Sequence, residues 1–267
     1  MFAAPLNWDK GMTEDKVPLA RRIFGERAAF YTTSPAHTNA QELERLVAIA
    51  QPSPDWLALD IATGTGHTAF AIAPHVRHVT ATDITPEMLA EGGKLQTERS
   101  VTNITFQMAD VHHLPFDDGS YHLVTSRRAP HHFTDIHLAI SEMARVMRPG
   151  GRVVIDDRSI PEDDFVDTYM NQLDTLHDHS HVRQYRPSEW TDMLTSAGLI
   201  AKQVIPYHRQ RPLSSLTQHA SADDIANMVA IVSSLDDEQR RAMNVEYRDS
   251  EWHLNHWFVL VSAVKTI

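Results

Sequence analysis

The sequence predicts an α/β fold: a doubly wound, seven-stranded sheet with helices on both faces, the last strand antiparallel, and a helical cap. Three observations predict it. Trp56-Leu57-Ala58-Leu59 and Ile61 form an almost continuous apolar run, as expected of a strand buried on both faces of a parallel sheet. The run leads into Thr63-Gly64-Thr65-Gly66, where two close glycines let the backbone turn tightly and approach a ligand with no Cβ in the way. Further strand-like runs then alternate with helix-like stretches along the chain.

Residues 1–40 read as an N-terminal arm, with helical spacing of apolar residues over Lys16 to Phe30. Gln41 to Ala50 is an amphipathic helix, and Pro52 and Pro54 stop it before the first strand. After the glycine turn, His67 to Ala73 starts a helix that Pro74 limits. Strand, glycine turn and helix together aim backbone N–H groups and a positive helix end at a ligand. His78 to Thr82 is a second strand ending at Asp83, the spacing at which a carboxylate accepts from a ribose diol. Thr85-Pro86-Glu87 signals a helix start: hydroxyl N-cap, proline in the first turn, early acid. Ile104 to Met108 and Tyr121 to Val124 are further strands. Thr134 to Met147 is a helix, Arg148 to Gly151 a turn, and Arg152 to Ile155 a buried strand ending in Asp156-Asp157.

Ile160 to His181 reads as an inserted helix on the substrate side. Pro187 to Ala197 is a helix stopped by Gly198, and Leu199 to Tyr207 a strand. Ser221 to Ser234 and Leu235 to Asn244 are helices placed either to cover the site or to build a homodimer contact, and His256 to Val264 is the final strand. The expected organisation is an arm (1–40), a core (41–211) with an insert at about 158–187, a helical insert (212–250) and a last core strand (251–267).

The net charge of −11 argues against a nucleic-acid partner, which needs lysines and arginines to neutralise phosphates. The absence of cysteine excludes disulfides and thiolate chemistry, and leaves the cytoplasm as the default location. No apolar run is long enough to span a bilayer, and the first residues lack a signal-peptide pattern.

Four segments, DIATGTG, TATDITPEML, FQMADVHHLPFDDGSYHLV and MARVMRPGGRVVIDD, occur in this order from Trp56 to Asp157. In them the chain resembles class I S-adenosylmethionine-dependent methyltransferases, nearest the small-molecule branch typified by ubiquinone and menaquinone biosynthesis. The stretches Tyr31 to His37 and HVRQYRPSEW are similar to that branch too. The resemblance implies a Rossmann-like core with S-adenosylmethionine as cofactor. It implies a cofactor site made of Asp60, Ala62, Thr63, Gly64 and Gly66 at the turn, Asp83 and Ile84 at the ribose, and Met88 near the adenosine. Ala109, Asp110 and Val111 would lie at the adenine, with Tyr31 on an arm folded over the site and Arg127 beside it. A carboxylate at Asp110 suits the adenine amino group, although it can equally cap a turn, and Met88 can equally be a core residue. His122 stands where the family usually has an acid.

The loop Thr125 to Phe133 follows the carboxyl end of a strand, where transfer chemistry is expected. It lacks the Asn/Asp-Pro-Pro-aromatic signature of amino-methylating enzymes. His131 and His132, with His37 from the arm, are the expected general bases, since imidazole titrates near neutrality. Arg127 and Arg128 can hold a substrate carboxylate or phosphate, or form internal ion pairs. His177, His179 and His181 have an alternating spacing that can chelate from a strand, but the surrounding sequence reads as a helix end and loop, so no metal is expected. The function implied is methyl transfer to a carbon or oxygen of a small-molecule acceptor, such as an aromatic or quinol-like one. The alternatives are a non-methylating or regulatory S-adenosylmethionine-binding protein, and an NAD-dependent oxidoreductase, for which no Tyr-x-x-x-Lys is found.

Overall fold

The computed structural model describes residues 16–266, so the first part of the arm, with its expected lack of a signal peptide, lies outside the described residues. The arm contributes α1 (Lys16–Glu26) and the single turn α2 (Ala28–Tyr31), and α3 (Ala40–Ala50) follows. Asn39 caps α3 by accepting the Glu42 N–H at 3.1 Å, while Leu46 and Ala50 face inward. The core then runs β1 (Leu57–Ile61), α4 (His67–Ile72), β2 (His78–Asp83), α5 (Pro86–Glu98), β3 (Ile104–Met108) and β4 (Tyr121–Arg127). It continues with α6 (Ile136–Val146), β5 (Met147–Ser159), α7 (Asp164–His177), α8 (Pro187–Ser196) and β6 (Leu199–Pro212). The cap is α9 (Ser214–Thr217), α10 (Ala222–Ser233) and α11 (Asp237–Met243), and β7 (Glu246–Arg248) and β8 (Glu251–Lys265) end the chain.

The sheet order is β3-β2-β1-β4-β5-β8-β6, with β8 antiparallel to both neighbours, as expected of the last strand. The short β7 pairs with the start of β8 as an eighth strand that the sequence pattern did not reveal. It consists of three exposed residues, too few to carry an alternation signal. Order reverses at β1, with β2 on one side and β4 on the other, so a crevice opens beyond the carboxyl ends of these strands.

Two cores sandwich the sheet. On one face α6 and α8 pack Ile140, Met143 and Trp190 against Leu59, Val124 and Ile155. On the other, α3 and α4 pack Leu46, Phe70 and Ile72 against Ala58, Val79 and Leu123. A third core joins Met170 and Leu173 of α7 to Met228, Val232 and Met243 of the cap and Leu254 of β8. The expected Arg148–Gly151 turn is a bulge inside β5: Tyr121 pairs with Met147 but Leu123 with Arg152. His122, in place of an acid, stacks on Trp56 (centroids 5.9 Å apart), and its Nδ1 accepts the Leu57 N–H at 3.2 Å. Its other nitrogen meets Arg148 Nη1 at 2.7 Å, so an imidazole joins the strand end to the bulge.

Candidate active site

The glycine turn builds the first wall of the site. Gly64 (φ 56°) and Gly66 (φ 91°) are both left-handed, and a Cβ on Gly66 would lie 2.9 Å from the Phe106 ring. Beside Gly64, the nearest atom to an added Cβ is Met88 Sδ at 4.0 Å, so its backbone faces open space. Ala62 and Arg128 also adopt positive φ (51° and 55°) and line the same cleft; such conformations cost about 1–3 kcal/mol each and cluster at functional sites.

Asp83 anchors the turn from β2. One of its oxygens accepts the Gly64 N–H at 2.8 Å and the other the Thr85 N–H at 2.9 Å. Burial pushes its carboxyl pKa up, since these N–H donors only partly replace water. Thr85 sits at the N-cap position, but its hydroxyl makes no cap and is buried without a partner among the described residues.

Ala62, Thr63, Gly64, Asp83, Ile84, Met88, Ala109, Asp110, Val111, Tyr31, His37, Arg127 and His132 all border one cleft. Asp60, Gly66 and His131 are not among the residues that line it. Asp60, 1% exposed, accepts from Thr125 Oγ1 at 2.6 Å and Thr63 Oγ1 at 2.5 Å, and burial pushes its pKa up to about 6. It fixes the turn from behind. Gly66 matters for the space that its missing side chain leaves to Phe106 and Phe70. Asp110 accepts the His112 N–H and meets the His112 Nδ1 (2.9 and 2.7 Å) while still bordering the cleft, so both sequence readings of it hold geometrically.

The arm closes over this cleft. The Tyr31 carbonyl is met by His67 Nε2 at 3.0 Å, and burial pushes the Tyr31 phenol up to about 12, so it stays protonated. Arg127, expected beside the ligand, instead donates to the carbonyls of Ala36 and His37 (3.1 and 3.0 Å) and to Glu42 at 2.8 Å. Its guanidinium is taken up by tying the arm to α3, leaving little of it for a substrate. Burial opposes ionisation of Glu42, but Arg128 and Arg127 hold its carboxyl below the usual value.

The three expected bases differ. His37 is lowered to about 3 by burial and then by Arg127 and Arg128, so it is neutral and too weakly basic for proton abstraction. His131 is braced: its N–H donates to Asp157 Oδ2 at 2.8 Å and its Nδ1 lies 2.7 Å from Oδ1. Burial and the adjacent His132 hold His131 well below its usual pKa, and burial pushes Asp157 up to about 7. The His131 carbonyl also accepts the N–H groups of Val182 and Arg183, so the residue organises the loop after α7.

His132 remains. Its Nδ1 lies 3.2 Å from Ser180 Oγ, which donates to Asp178 Oδ1 at 2.6 Å. Because the serine proton goes to the aspartate, the serine accepts from Nδ1–H, and the lone pair is left on Nε2. The Ser180–Asp178 pair was not legible as part of a site: it stands 48 residues after His132, and only the fold of the loop brings it there. His177, His179 and His181 turn to different partners: the Leu216 carbonyl, Asp224 and Asn171.

A second cavity, of about 580 Å³, adjoins the first under the cap. The two share Phe24, Tyr31, His37, Arg128 and His132, so His132 stands at their junction.

A doubly wound sheet with a reversed seventh strand, a glycine turn and an acid ending β2 defines a nucleoside-binding enzyme of the Rossmann-like class, and the comparisons narrow it. The chain belongs to the class I S-adenosylmethionine-dependent methyltransferase family. A family profile described as "Methyltransferase domain" matches residues 59–155. The uncharacterised methyltransferase YcgJ of Bacillus subtilis is 36% identical over 182 residues, 68% of this chain and 72% of YcgJ. The YcgJ crystal structure superposes with a TM-score of 0.81 at 29% identity, covering 85% of this chain and 99% of that one. A ubiquinone/menaquinone biosynthesis C-methyltransferase, UbiE of Geobacter, is 37% identical over 107 residues, 39% of this chain and 46% of UbiE. The protein is thus an S-adenosylmethionine-dependent methyltransferase acting on a small molecule. No helix among the described residues is long and apolar enough to cross a membrane.

Proposed function

We propose that this enzyme methylates an oxygen or an acidic carbon of a small acceptor, with His132 Nε2 taking the acceptor's proton. The observation that carries it is the His132–Ser180–Asp178 chain at the junction of two cavities. The residues of the first cleft fit the cofactor. The backbone at Gly64 is bare, Asp83 offers a desolvated carboxylate to a diol, and Thr85 Oγ1 is buried and unpaired among the described residues. Asp110 and the Val111 backbone supply an acceptor and a donor to the adenine edge.

When bound, S-adenosylmethionine supplies a methyl group on a positively charged sulfur, which keeps the C–S electron pair as the new bond to the acceptor forms. The chain's own residues position and desolvate. Tyr31, Phe24 and the arm keep water out, Met88 and Phe133 line the apolar wall, and His132 accepts the proton released from an O–H or C–H acceptor. The Ser180–Asp178 pair holds the imidazole in the Nε2-basic tautomer and steadies the imidazolium that results. A methyl-transfer assay with S-adenosylmethionine and a panel of phenolic and hydroxy-acid acceptors tests this. His132→Asn should lower kcat by about 10²–10⁴-fold with S-adenosylhomocysteine affinity unchanged; an undiminished kcat would remove His132 from the reaction.

A further inference from the structure

The second cavity has a charge pattern at odds with the rest of the molecule. The protein carries a net charge of −11, yet five arginines line this cavity (Arg27, Arg128, Arg158, Arg209 and Arg211) against two aspartates, Asp174 and Asp178. Some of that charge is matched. Arg158 pairs with Asp174 at 2.6 Å, Arg209 and Arg128 share Glu42 at 2.8 and 3.1 Å, and Arg27 reaches Asp178 at 4.0 Å.

Arg211 has no such match: among the described residues its guanidinium makes no ion pair and no hydrogen bond, and it lies 5.9 Å from the centre of the Phe258 ring. Burial and the neighbouring Arg158, Arg128 and Arg209 push it below the usual arginine value, which marks the spot as one where positive charge is in excess.

Four donors of cavity-lining residues are buried with no partner among the described residues: Arg128 Nη1, Arg158 Nε, Ser215 Oγ and His256 Nε2. The His256 proton is on Nε2 because Arg158 Nη1 faces its Nδ1 at 3.4 Å. Unpaired buried donors are costly, and here they leave the cavity wall short of acceptors. Native proteins keep the great majority of buried polar groups paired.

We infer that the second cavity is built for an acceptor bearing a carboxylate or phosphate group, held by Arg211 and Arg158 while its nucleophilic atom meets His132 at the junction. The inference rests on the methyltransferase reading and narrows its substrate class. The anion balances the excess arginine charge, and the apolar Phe24 and Phe258 leave room for a hydrocarbon or aromatic body. An uncharged quinol leaves that charge unbalanced.

The test is calorimetric titration of the full chain, saturated with S-adenosylhomocysteine, with inorganic phosphate, with malonate and, in a third arm, with phenol. The phosphate and malonate arms distinguish the two sources of anionic charge. At least one should bind and phenol should not. Arg211→Gln should weaken the anion at least tenfold with S-adenosylhomocysteine affinity unchanged. Arg211→Lys, which keeps the charge and so the fold, should weaken it about threefold through the lost bidentate geometry. Wild-type protein that takes S-adenosylhomocysteine but neither anion, or anion binding that both Arg211 variants leave unchanged, overturns the inference. Failure of the wild type to take S-adenosylhomocysteine strikes the methyltransferase reading instead.

Discussion

Around His132, identical side chains have been given different chemistry by their surroundings. His37, His131 and His132 lie within or beside one site; burial lowers the basicity of His37 and His131, while the Ser180 hydroxyl orients His132 through Nδ1. The lowered pKa of His37 has a thermodynamic consequence. In the unfolded chain it takes a proton below the ordinary histidine value of 6.5, whereas in the fold it stays neutral down to about 3. Between these values the unfolded state binds more protons, so His37 takes stability away as pH falls. His37→Gln should therefore lose less stability than wild type between pH 7.5 and 5. Denaturant midpoints at the two pH values check this, and an equal loss in both proteins would contradict the burial assigned to His37. The residue scale was only partly legible in the sequence. The glycine turn and Asp83 stand next to strand ends, where spacing marks them, and the family resemblance singles out Asp110. Ser180, Asp178 and Arg211 come from distant loops and strands, and no local pattern marks them.

At the scale of elements, the arm is clasped where it passes over the cleft. Arg127, at the end of β4, reaches the carbonyls at 36 and 37 and the α3 carboxylate Glu42, so one side chain joins sheet, arm and helix. The sequence showed that an arginine lay beside the site, but periodicity carries no information on which backbone carbonyls it meets. Arg127→Gln should loosen the segment between α2 and α3, since it leaves Glu42 with fewer cations and the arm with fewer donors. Limited proteolysis should then cut within residues 32–39 several-fold faster, with weaker S-adenosylhomocysteine binding. Cleavage at the wild-type rate would show that the arm is held elsewhere. Helices α7, α10 and α11 were expected from the sequence, and Asp163 caps α7 while Ser221 caps α10. Their joint packing into a third core was not, because a hydrophobic stripe shows that a face is buried and not what buries it.

For the whole molecule, the sheet supplies the cofactor-side cleft at its switch point, and the inserts supply the acceptor side. Most of the chain's recognisable motifs lie in the first half, from Trp56 to Asp157, and the sheet order follows from their alternation. The second cavity draws its lining from the arm, the α7 loop, β6, the cap and β8, which lie far apart in the sequence. Two cavities meeting at His132 is an arrangement made by tertiary folding.

The central claim is that the first cleft holds the cofactor through Asp83 and the bare turn at Gly64. The most direct measurement is calorimetric titration with S-adenosylhomocysteine of the wild type and of Asp83→Asn, which preserves the shape and one acceptor oxygen. The wild type should bind in the micromolar range (about −8 kcal/mol), and the variant tenfold or more weakly, as the loss of charge-assisted hydrogen bonds worth about 1.5–3 kcal/mol requires. Equal affinity in the two proteins, with both folded, would contradict the site.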